Sequence, residues 1–416
     1  MQPIAITGMG VVSALGNDIR SLHRGLTEGR TAITAAPWAG RADGDRAWSG
    51  VIRDFRPGDW MDPRVEEGTD LFAQFALAAA EQAVAQAGLG EPDPERTAIV
   101  HGTSIGGVRA VMKAQHELDM RGPEAVPRKT MIQIWPNMAS AQMAMRWKLH
   151  GPCLTVTTAC ASSLDAIGTA ARLIDAGLAD VAICGATEGG ISLAGGGADG
   201  DFVPVLFYTS MLYGMDAPPS EAHQAMLPFD VKRKGIVVGE GASMIVLERA
   251  DHARARGAQV HGWLCGYGQC ADAYHPSSPD PSGQWEARAM QLAIADAGIE
   301  AAEVQALIAH ATGTPKGDTA EINAINRVHG GRGLPVASIK GALGHPGASS
   351  GGMGIITALL GMAEDSFLPT ANTDEPDPDC DFEVVTGAAK RQRYDTCQVN
   401  AFGFGGQNAS VIVRGA

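Results

Sequence analysis

Residues 155–168 read TVTTACASSLDAIG and hold one cysteine, Cys160, between two different secondary-structure patterns. The threonines and valine before the cysteine favour a β-strand. After it, apolar residues recur at helical spacing, at Leu164, Ile167, Ala171, Ile174 and Leu178. The stretch therefore predicts a strand, a tight turn that holds Cys160, and a helix that begins at once and ends near Gly177.

The predicted position of Cys160, at the N-terminus of a helix, has chemical consequences. Unpaired backbone N–H groups and the helix dipole stabilise a thiolate there. The same N–H groups can hold an oxyanion that develops during a reaction. Taken alone, the turn still favours a cysteine that only packs, because free cysteine is among the most buried residue types.

Strand-like and helical patterns alternate along the whole chain, which favours an α/β fold with largely buried strands. Two helices are predicted with glycine terminators, one ending at Gly88 and one at Gly298. The predicted strands cover residues 4–7, 97–102, 154–158, 180–185, 243–248, 306–311 and 410–414.

Three segments recur later in the chain in the same order. Residues 97–107 resemble 306–317, the Cys160 unit resembles 335–360 with His345 in the equivalent turn, and 239–248 resemble 405–414. Repeated order indicates internal duplication. We therefore expect two related halves, residues 1–252 and 253–416.

Charge and cysteine content restrict the function classes. The net charge of −14 argues against a general binder of nucleic acid or anionic membrane. The seven cysteines are odd in number and form no CxxC pair, so neither a disulfide framework nor a zinc site is predicted. With no targeting or membrane-spanning segment evident, we expect a cytoplasmic protein.

One segment does not fit the alternating pattern. Residues 189–219 are rich in glycine and then in aromatic residues and methionine. Long connections of this kind are usually functional, although a plain surface insertion fits equally well.

Two further turns and one loop carry candidate chemistry. His310 and His345 each follow a predicted strand in a turn rich in glycine and hydroxyl residues, and strand ends in α/β folds commonly face a ligand. The loop FGFGGQN, residues 402–408, has glycines that permit close approach and two phenylalanines that could wall a pocket. A nucleophile with hydrogen-bond donors around a carbonyl suits a reaction through a thioester and an enolate.

Five segments together resemble the β-ketoacyl-acyl carrier protein synthases of the KAS I/II type. They read TACASS (158–163), PFDVKRKGIVVGEGASMIVLE (228–248), HATGTPKGDTAE (310–321), IKGALGHPGA (339–348) and NAFGFGGQN (400–408). The resemblance implies a thiolase-like α/β fold, in which two βαβ halves form α-β-α-β-α layers. It also implies an acyltransferase that performs a decarboxylative Claisen condensation.

The resemblance assigns roles to individual residues. Cys160 matches the nucleophile that carries the acyl chain, and His310 and His345 match the pair that binds the malonyl thioester and promotes decarboxylation. Lys340 and Glu321 match charged residues that support the histidines. The backbone N–H groups of Cys160 and Phe404 would form the oxyanion hole.

Further residues match substrate contacts. Phe404 matches a gating residue, with Phe402 beside it, and Ile105 matches a residue that lines the acyl pocket. Thr312 and Thr314 match hydroxyls that contact the phosphopantetheine arm. Asp318 is the acidic residue between Thr314 and Glu321 in the same motif, HATGTPKGDTAE, and is counted with the substrate-binding residues. The implied substrate carrier is that phosphopantetheine arm on an acyl carrier protein, and no bound cofactor or metal is implied.

The residues expected to dock the carrier protein match the family pattern only in part. Arg128 and Lys129 match basic residues that would meet an acidic carrier protein, but Glu66 and Glu67 stand where further basic residues are expected. Ala311 replaces a usual glycine. The resemblance implies a homodimer, or a heterodimer with a subunit like a chain-length factor.

Alternatives are separated by the same motifs. A thiolase requires a second catalytic cysteine in the C-terminal glycine loop, and FGFGGQN has none. A KAS III or chalcone-synthase-like enzyme uses Cys, His and Asn, and a non-catalytic chain-length factor lacks the cysteine. Primary fatty-acid elongation and a type II polyketide or polyene pathway both remain open.

Overall fold

A computed structural model of the chain describes residues 2–35, 48–189 and 220–416. Apart from Gly189, the glycine-rich segment 189–219 lies outside the described residues. The strands are β1 Ile4–Ser13, β2 Thr34–Ala35, β3 Trp48–Ser49, β4 Thr97–Gly102, β5 Cys153–Val156, β6 Val181–Glu188, β7 Gly241–Glu248, β8 Gly262–Ala271, β9 Ala306–Ile308, β10 Pro335–Ala337, β11 Ser366–Phe367, β12 Glu383–Val384, β13 Lys390–Arg391, β14 Thr396–Gly403 and β15 Gln407–Gly415.

The α-helices of the described residues are numbered here in chain order. They are α1 Ile19–Thr27, α2 Pro63–Gly68, α3 Leu71–Ala87, α4 Val108–Arg121, α5 Thr130–Gln133, α6 Met138–Trp147, α7 Ser162–Asp175, α8 Ala250–Ala255, α9 Gln284–Ala297, α10 Pro315–His329, α11 Lys340–Leu343 and α12 Ser350–Ala363. Two 3₁₀ turns matter for the site, Ala159–Ala161 before α7 and Gly347–Ser349 before α12.

Eleven strands form one continuous sheet in the order β12-β10-β9-β14-β15-β8-β1-β7-β6-β4-β5. At its centre β1 and β8 pair antiparallel. Outward from that centre both sides repeat two antiparallel and then two parallel pairings. The side that begins with β8 has one further parallel pairing, between β10 and β12. The three recurring sequence segments occupy equivalent strands of the two sides, and the division at residues 252 and 253 stays a prediction.

Side chains of each strand point alternately to two apolar layers. On β7, Ile245 and Leu247 belong to a central cluster with α7 and α12, whereas Met244 and Val246 pack with α3. On β15, Ile412 packs in the cluster that contains α9 and α10. The two halves of the sheet therefore form two layers, with α7 and α12 between them, α3 outside one half, and α9 and α10 outside the other. This order of helix, sheet, helix, sheet and helix layers confirms the thiolase-like α-β-α-β-α architecture.

Glycines in the two central strands let an alanine-rich helix approach each side closely. A Cβ atom at Gly8 or Gly10 of β1 would lie 2.0 or 1.9 Å from a carbonyl oxygen of α3. At Gly266 or Gly268 of β8 it would lie 2.2 or 2.4 Å from a carbonyl oxygen of α9. Any larger residue would push the helix away, since real Cβ atoms do not approach oxygen this closely.

Most predicted elements are found, with corrections at their ends. The strand at 97–102 has the predicted bounds, and the helices before Gly88 and Gly298 end at left-handed glycines with φ of 59° and 67°. The strands predicted at 154–158 and 306–311 end earlier, at Val156 and Ile308, because the chain leaves the sheet to form the site turns. The sequence periodicity does not predict β8 or β14.

The uncharged run at residues 341–363 contributes the apolar helix α12. This helix has 14 residues and is buried along nearly its whole length between the sheet layers. Within the described ranges, none of the helices combines the length and the hydropathy needed to cross a bilayer.

Candidate active site

Cys160 lies in the 3₁₀ turn that joins β5 to α7. The preceding residue, Ala159, has φ of +49°, a left-handed conformation that costs energy for a residue other than glycine. The hydroxyl of Ser162 closes the turn, donating to the Ala159 carbonyl at 2.6 Å and accepting from Thr158 N–H at 2.9 Å. The predicted arrangement of strand, cysteine turn and helix is therefore present, and the cysteine is half-buried.

Both predicted histidines converge on this cysteine. Nε2 of His345 lies 2.9 Å from Sγ of Cys160, although the two residues are 185 positions apart. Sγ of Cys160 and one ring nitrogen each of His310 and His345 all lie within 4.8 Å of one another. The two imidazole rings meet edge to face with centroids 5.4 Å apart. A single acyl group on the sulfur would thus lie beside two ring nitrogens.

Behind the rings, Lys340 and Glu321 fix the position of His310. Nζ of Lys340 lies 3.3 Å from Nδ1 of His310 and also donates to the His310 carbonyl oxygen. The Glu321 carboxylate accepts from the backbone N–H groups of His310 at 2.9 Å and Ala311 at 2.6 Å. Both supporting side chains are buried, so these contacts are protected from water.

Burial and Lys340 keep the two imidazoles uncharged. Burial is the main cause that holds the pKa of His310 and of His345 well below the usual value, and the Lys340 charge acts in the same direction. Burial also lowers the pKa of Lys340, to about 8, against the opposing effect of Glu321. At neutral pH the histidines therefore serve as neutral donors or acceptors toward the substrate.

The thiol of Cys160 is protonated at rest. Burial raises its pKa to about 11, Lys340 lowers it, and Glu188 raises it. The backbone N–H groups of Phe404 and of Cys160 itself also face the sulfur and favour the thiolate. The sulfur therefore needs a neighbouring base to react, and the His345 ring is in contact with it.

Gly403 permits the close contact between the C-terminal loop and the cysteine turn. A Cβ atom there would lie 2.7 Å from the carbonyl oxygen of Thr158 and 3.1 Å from the nitrogen of Cys160. Because Phe404 follows directly, this contact sets where its N–H group lies. The loop FGFGGQN thus places a second donor beside the sulfur, as the family resemblance implies for an oxyanion hole.

Three further motif residues lie around the histidine turn. The hydroxyls of Thr312 and Thr314 are 3.0 Å apart, and Thr314 caps α10 by accepting from Gly317 N–H at 3.1 Å. Asp318 is fully buried, and its carboxylate accepts from Phe229 N–H at 2.8 Å and Gly313 N–H at 3.0 Å. This geometry places Asp318 behind the histidine turn, where it holds the backbone of Phe229 and Gly313, and its expected part in substrate binding stays a prediction.

The aromatic and aliphatic candidates differ in exposure. Phe402 is buried, with its ring centroid 5.9 Å from that of His310. Phe404 is 52% exposed at the surface of the site, a position suited to a gate. Ile105 is partly buried in the turn between β4 and α4. Phe402 therefore lies deepest of the three, against His310, and Phe404 is the most exposed.

The predicted docking residues are at the surface. Arg128 is exposed, whereas Nζ of Lys129 lies 2.8 Å from the Glu67 carboxylate of α2. The acidic residue that departs from the family pattern therefore neutralises one of the two basic residues directly.

Two polar residues of the site were not identified from the sequence. Asn400 on β14 donates to Glu321 at 3.3 Å, and Glu188 ends β6 with a buried carboxylate that influences Cys160. Glu188 could have been found, because a carboxylate at the end of a buried strand is exceptional. Asn400 lies in the motif NAFGFGGQN, but β14 is not predicted from the sequence and also buries the polar Thr396 and Gln398, so its position in the strand gives no separate signal.

The fold and this Cys–His–His site define an acyltransferase-class enzyme of the thiolase-like fold. Two family models match the chain, the β-ketoacyl synthase N-terminal domain over residues 1–253 and the C-terminal domain over residues 261–374. The chain therefore belongs to the β-ketoacyl synthase family, which confirms the resemblance drawn from the motifs.

Individual relatives are similar over the full length. The chain is 33% identical over 415 residues to the 3-oxoacyl-(acyl-carrier-protein) synthase 2 of Synechocystis sp., covering 99% of this chain and 97% of the relative. It resembles the structure of the ishigamide ketosynthase/chain length factor with a TM-score of 0.90 and 31% identity, over 100% of this chain and 99% of that one. A type II polyketide ketosynthase (AntDE:AntF), bound to the hexaketide and in complex with its acyl-carrier protein, gives a TM-score of 0.88 and 25% identity, with the same coverage.

Proposed function

We propose that this protein is a β-ketoacyl synthase that extends an acyl chain held as a thioester on Cys160, using a malonyl unit carried on an acyl carrier protein. The observation that carries the proposal is the 2.9 Å contact between Sγ of Cys160 and Nε2 of His345, with His310 beside both. The curated relative from Synechocystis is named for the same class of reaction.

In the first half-reaction Cys160 takes an acyl group from the phosphopantetheine thioester of the carrier. His345 accepts the thiol proton, the sulfur attacks the carbonyl, and the N–H groups of Cys160 and Phe404 hold the tetrahedral oxyanion. The pantetheine thiolate leaves and takes this proton back from His345, so the carrier departs as a free thiol and the His345 ring is neutral again.

In the second half-reaction a malonyl thioester occupies the same site. Once the sulfur is acylated, Nε2 of His345 no longer accepts from a thiol, and exchange with solvent places the proton of the neutral ring on that nitrogen. Neutral His310 and His345 then donate to the malonyl thioester carbonyl, which stabilises the enolate that forms as carbon dioxide leaves. The enolate carbon attacks the acyl carbonyl, and the Cys160 thiolate is released. The product is a β-ketoacyl thioester that is two carbons longer and remains on the carrier.

The cysteines differ in exposure, so a labelling experiment can distinguish a catalytic nucleophile from a thiol that is merely accessible. Cys153 is exposed, Cys160 is half-buried, and Cys184, Cys265 and Cys397 are buried. In the isolated chain, accessibility alone therefore predicts that Cys153 reacts first. We expect mass spectrometry after incubation with an acyl-carrier substrate, or with cerulenin, to find the adduct on Cys160. The C153S control should still form the adduct on Cys160. An adduct found only on Cys153 in the wild-type protein would contradict the proposal.

The non-catalytic alternative has one specific prediction of its own. A chain-length-factor-like subunit binds a ketosynthase partner but holds no acyl chain. The other alternative, a thiolase, would use a second cysteine near the histidines. In the described residues the cluster around His310 and His345 contains one cysteine, Cys160. Absence of any acyl adduct in the isolated protein, with an adduct on a co-purified partner, would favour the partner subunit.

The pathway and the carrier belong to this proposal as well. The similar structures come from a ketosynthase/chain length factor and from a type II polyketide ketosynthase in complex with its acyl-carrier protein, which supports a type II polyketide or polyene pathway. The synthase 2 relatives support fatty-acid elongation as the second candidate. Extension assays with acyl carriers of increasing length, with and without a co-expressed chain-length-factor-like subunit, separate the two.

A sheet edge that pairs with no other strand among the described residues supports a dimer. Strand β5 ends the sheet, and its residues Cys153 and Leu154 are exposed. Exposed strand edges with apolar side chains favour pairing with another chain. More large apolar residues are exposed on α4, α5 and α6 or next to them, at Val111, Leu118, Met120, Met131, Ile132, Trp135 and Met145. We expect light scattering to show a dimer, and L154K to weaken it.

A further inference from the structure

Glu188 is a buried carboxylate that the proposed mechanism does not use. It ends β6 and is only 4% exposed. Its Oε2 accepts from the backbone N–H groups of Ser104 at 3.1 Å and Ala348 at 3.3 Å. The N–H group of Ile105 also faces the carboxylate. Three backbone donors from two separate segments therefore converge on one side chain.

The two segments have different positions in the site. Ser104 and Ile105 belong to the turn after β4, which carries the residue expected to line the acyl pocket. Ala348 belongs to the 3₁₀ turn Gly347–Ser349, which begins two residues after His345 and leads into α12. The carboxylate thus connects a segment of the N-terminal half with the segment that positions a condensing histidine.

Gly347 makes room for this connection. It has φ of +54°, and a Cβ atom there would lie 2.6 Å from Cγ of Glu188 and 2.8 Å from its Oε2. The turn after His345 therefore packs directly on the carboxylate side chain. Any side chain at position 347 would displace either Glu188 or the turn.

The electrostatic surroundings connect Glu188 to the sulfur. The charged groups that act on Cys160 are Lys340, which favours the thiolate, and Glu188, which opposes it, and the neutral His310 and His345 rings complete its surroundings. Around Glu188 itself the groups are the three backbone donors and the Ser104 hydroxyl. Among the described residues, the other oxygen, Oε1, and the Ser104 hydroxyl are both buried and neither forms a hydrogen bond of normal geometry, so the backbone N–H groups are what hold the carboxylate.

We propose that Glu188 is a positioning residue that fixes the acyl-pocket turn at Ile105 and the His345 turn relative to each other, and so couples acyl occupancy to condensation. The inference rests on the proposed ketosynthase function. An acyl chain that presses on the Ile105 turn would shift the His345 turn through the shared carboxylate. Loss of the connection should therefore affect the second half-reaction more than the first.

The test compares E188A and E188Q with the wild-type protein in three separate assays. These are acyl transfer to Cys160 by intact mass, decarboxylation of malonyl carrier, and formation of the β-keto product. In E188A we expect condensation to fall by roughly 10-fold or more, since small misplacement of reacting groups has large effects, with acyl transfer retained. We expect the condensation rate of E188Q to lie between those of E188A and the wild type, because the glutamine oxygen can accept from the same N–H groups.

Decarboxylation without condensation is the diagnostic readout, because a merely structural defect lowers all three rates together. In the wild type, acylation of Cys160 should raise the decarboxylation rate, whereas in E188A the rate should depend less on acylation. G347A, which disturbs the same contact from the other side, should give the same change and serves if E188A does not fold.

The charge of Glu188 is tested separately by alkylation of Cys160. Burial raises the pKa of Glu188, and the ionised carboxylate in turn raises the pKa of the Cys160 thiol. At a pH where Glu188 is ionised, E188Q removes that negative charge, so we expect faster alkylation of Cys160. The matched control is E248Q, because Glu248 is also fully buried and lies on the neighbouring strand, opposite Val181 at the other end of β6. It is held by Arg256 and His252, and its substitution should leave Cys160 alkylation unchanged.

Two results would overturn the inference. One is an E188A protein that keeps the wild-type ratio of decarboxylation to condensation, and the other is an E248Q protein that changes Cys160 reactivity as much as E188Q does. Failure of the proposed function itself is distinguishable, because in that case wild-type Cys160 would take up no acyl group.

Discussion

Lys340 lies with its Nζ 3.3 Å from Nδ1 of His310 and also donates to the carbonyl oxygen of the same residue. A protonated lysine has no acceptor, so Nδ1 of His310 must accept and the ring proton must lie on Nε2. In the proposed mechanism, that proton is the one donated to the malonyl carbonyl. A single buried lysine thus determines which tautomer of the histidine is available for condensation.

The first prediction is that condensation loses rate on the alkaline side. Because the pKa of Lys340 is lowered to about 8, its proton is present below that pH and is lost as pH rises through it. Malonyl decarboxylation should therefore decline above about pH 8. Acyl transfer should instead rise with pH, since the pKa of the Cys160 thiol is about 11. Separate pH profiles for the two half-reactions measure this difference.

The matched variant for this pH effect is K340M, which keeps the length of the side chain but has no proton to lose. Its decarboxylation should be slow at every pH and should show no alkaline decline of its own. A wild-type profile that stays level between about pH 7 and about pH 9.5 would remove Lys340 from this role.

The convergence of the site could be predicted only in part from sequence. Strand–turn–helix patterns placed Cys160, and the motifs at His310 and His345 supplied the family resemblance. The 2.9 Å contact between positions 160 and 345 follows from the duplicated sheet order, which periodicity alone does not fix. Strand β8 escaped prediction because Gly266 and Gly268, which admit α9, remove the apolar alternation by which strands are identified.

Long-range polar contacts were the other part that sequence could not supply. Glu188 is held by backbone N–H groups of Ser104 and Ala348, and a backbone donor leaves no mark in the sequence. The left-handed Ala159 is likewise invisible, because alanine carries no preference for that conformation. Such features depend on tertiary packing around the site.

The second prediction separates the two histidines. His345 contacts the sulfur, so H345A should slow acyl transfer as well as condensation. H310A should leave acyl transfer nearly unchanged and lower decarboxylation by about 10²- to 10³-fold, the usual cost of one oxyanion donor. Single-turnover acylation and decarboxylation assays on both variants test this. Equal slowing of acyl transfer in both variants would contradict the assignment.

The third prediction concerns Gly403, whose absent side chain lets Phe404 N–H reach the sulfur. G403A places a Cβ atom 2.7 Å from the Thr158 carbonyl oxygen, which should shift the loop or the cysteine turn. We expect a free energy of unfolding lower by about 1–3 kcal/mol, typical of overpacking, and a larger relative loss of acyl transfer. Urea denaturation and acylation rates measure the two effects.

The control for this substitution is G58A. A Cβ atom at Gly58 would meet nothing within 4 Å, and its backbone is not left-handed. This variant should acylate as the wild type does. Were G403A to unfold more easily yet acylate at the wild-type rate, the loop would be a structural contact only.

The last prediction concerns the docking charges around α2. Lys129 is paired with Glu67 at 2.8 Å, and the two side chains are 40% and 72% exposed, so the pair should contribute little to stability. E67K releases Lys129 and adds a positive charge, and we expect it to lower the KM for an acidic carrier substrate several-fold. R128E should raise that KM, and both effects should shrink as salt increases. Neither variant should alter the rate with a small pantetheine thioester, because the catalytic turn is untouched.

E28K, which breaks the exposed Glu28–Arg30 pair at the end of α1, is the control for charge alone. If E28K lowered the KM for the carrier as much as E67K does, net charge would explain the result and Lys129 would lose its assigned place in docking.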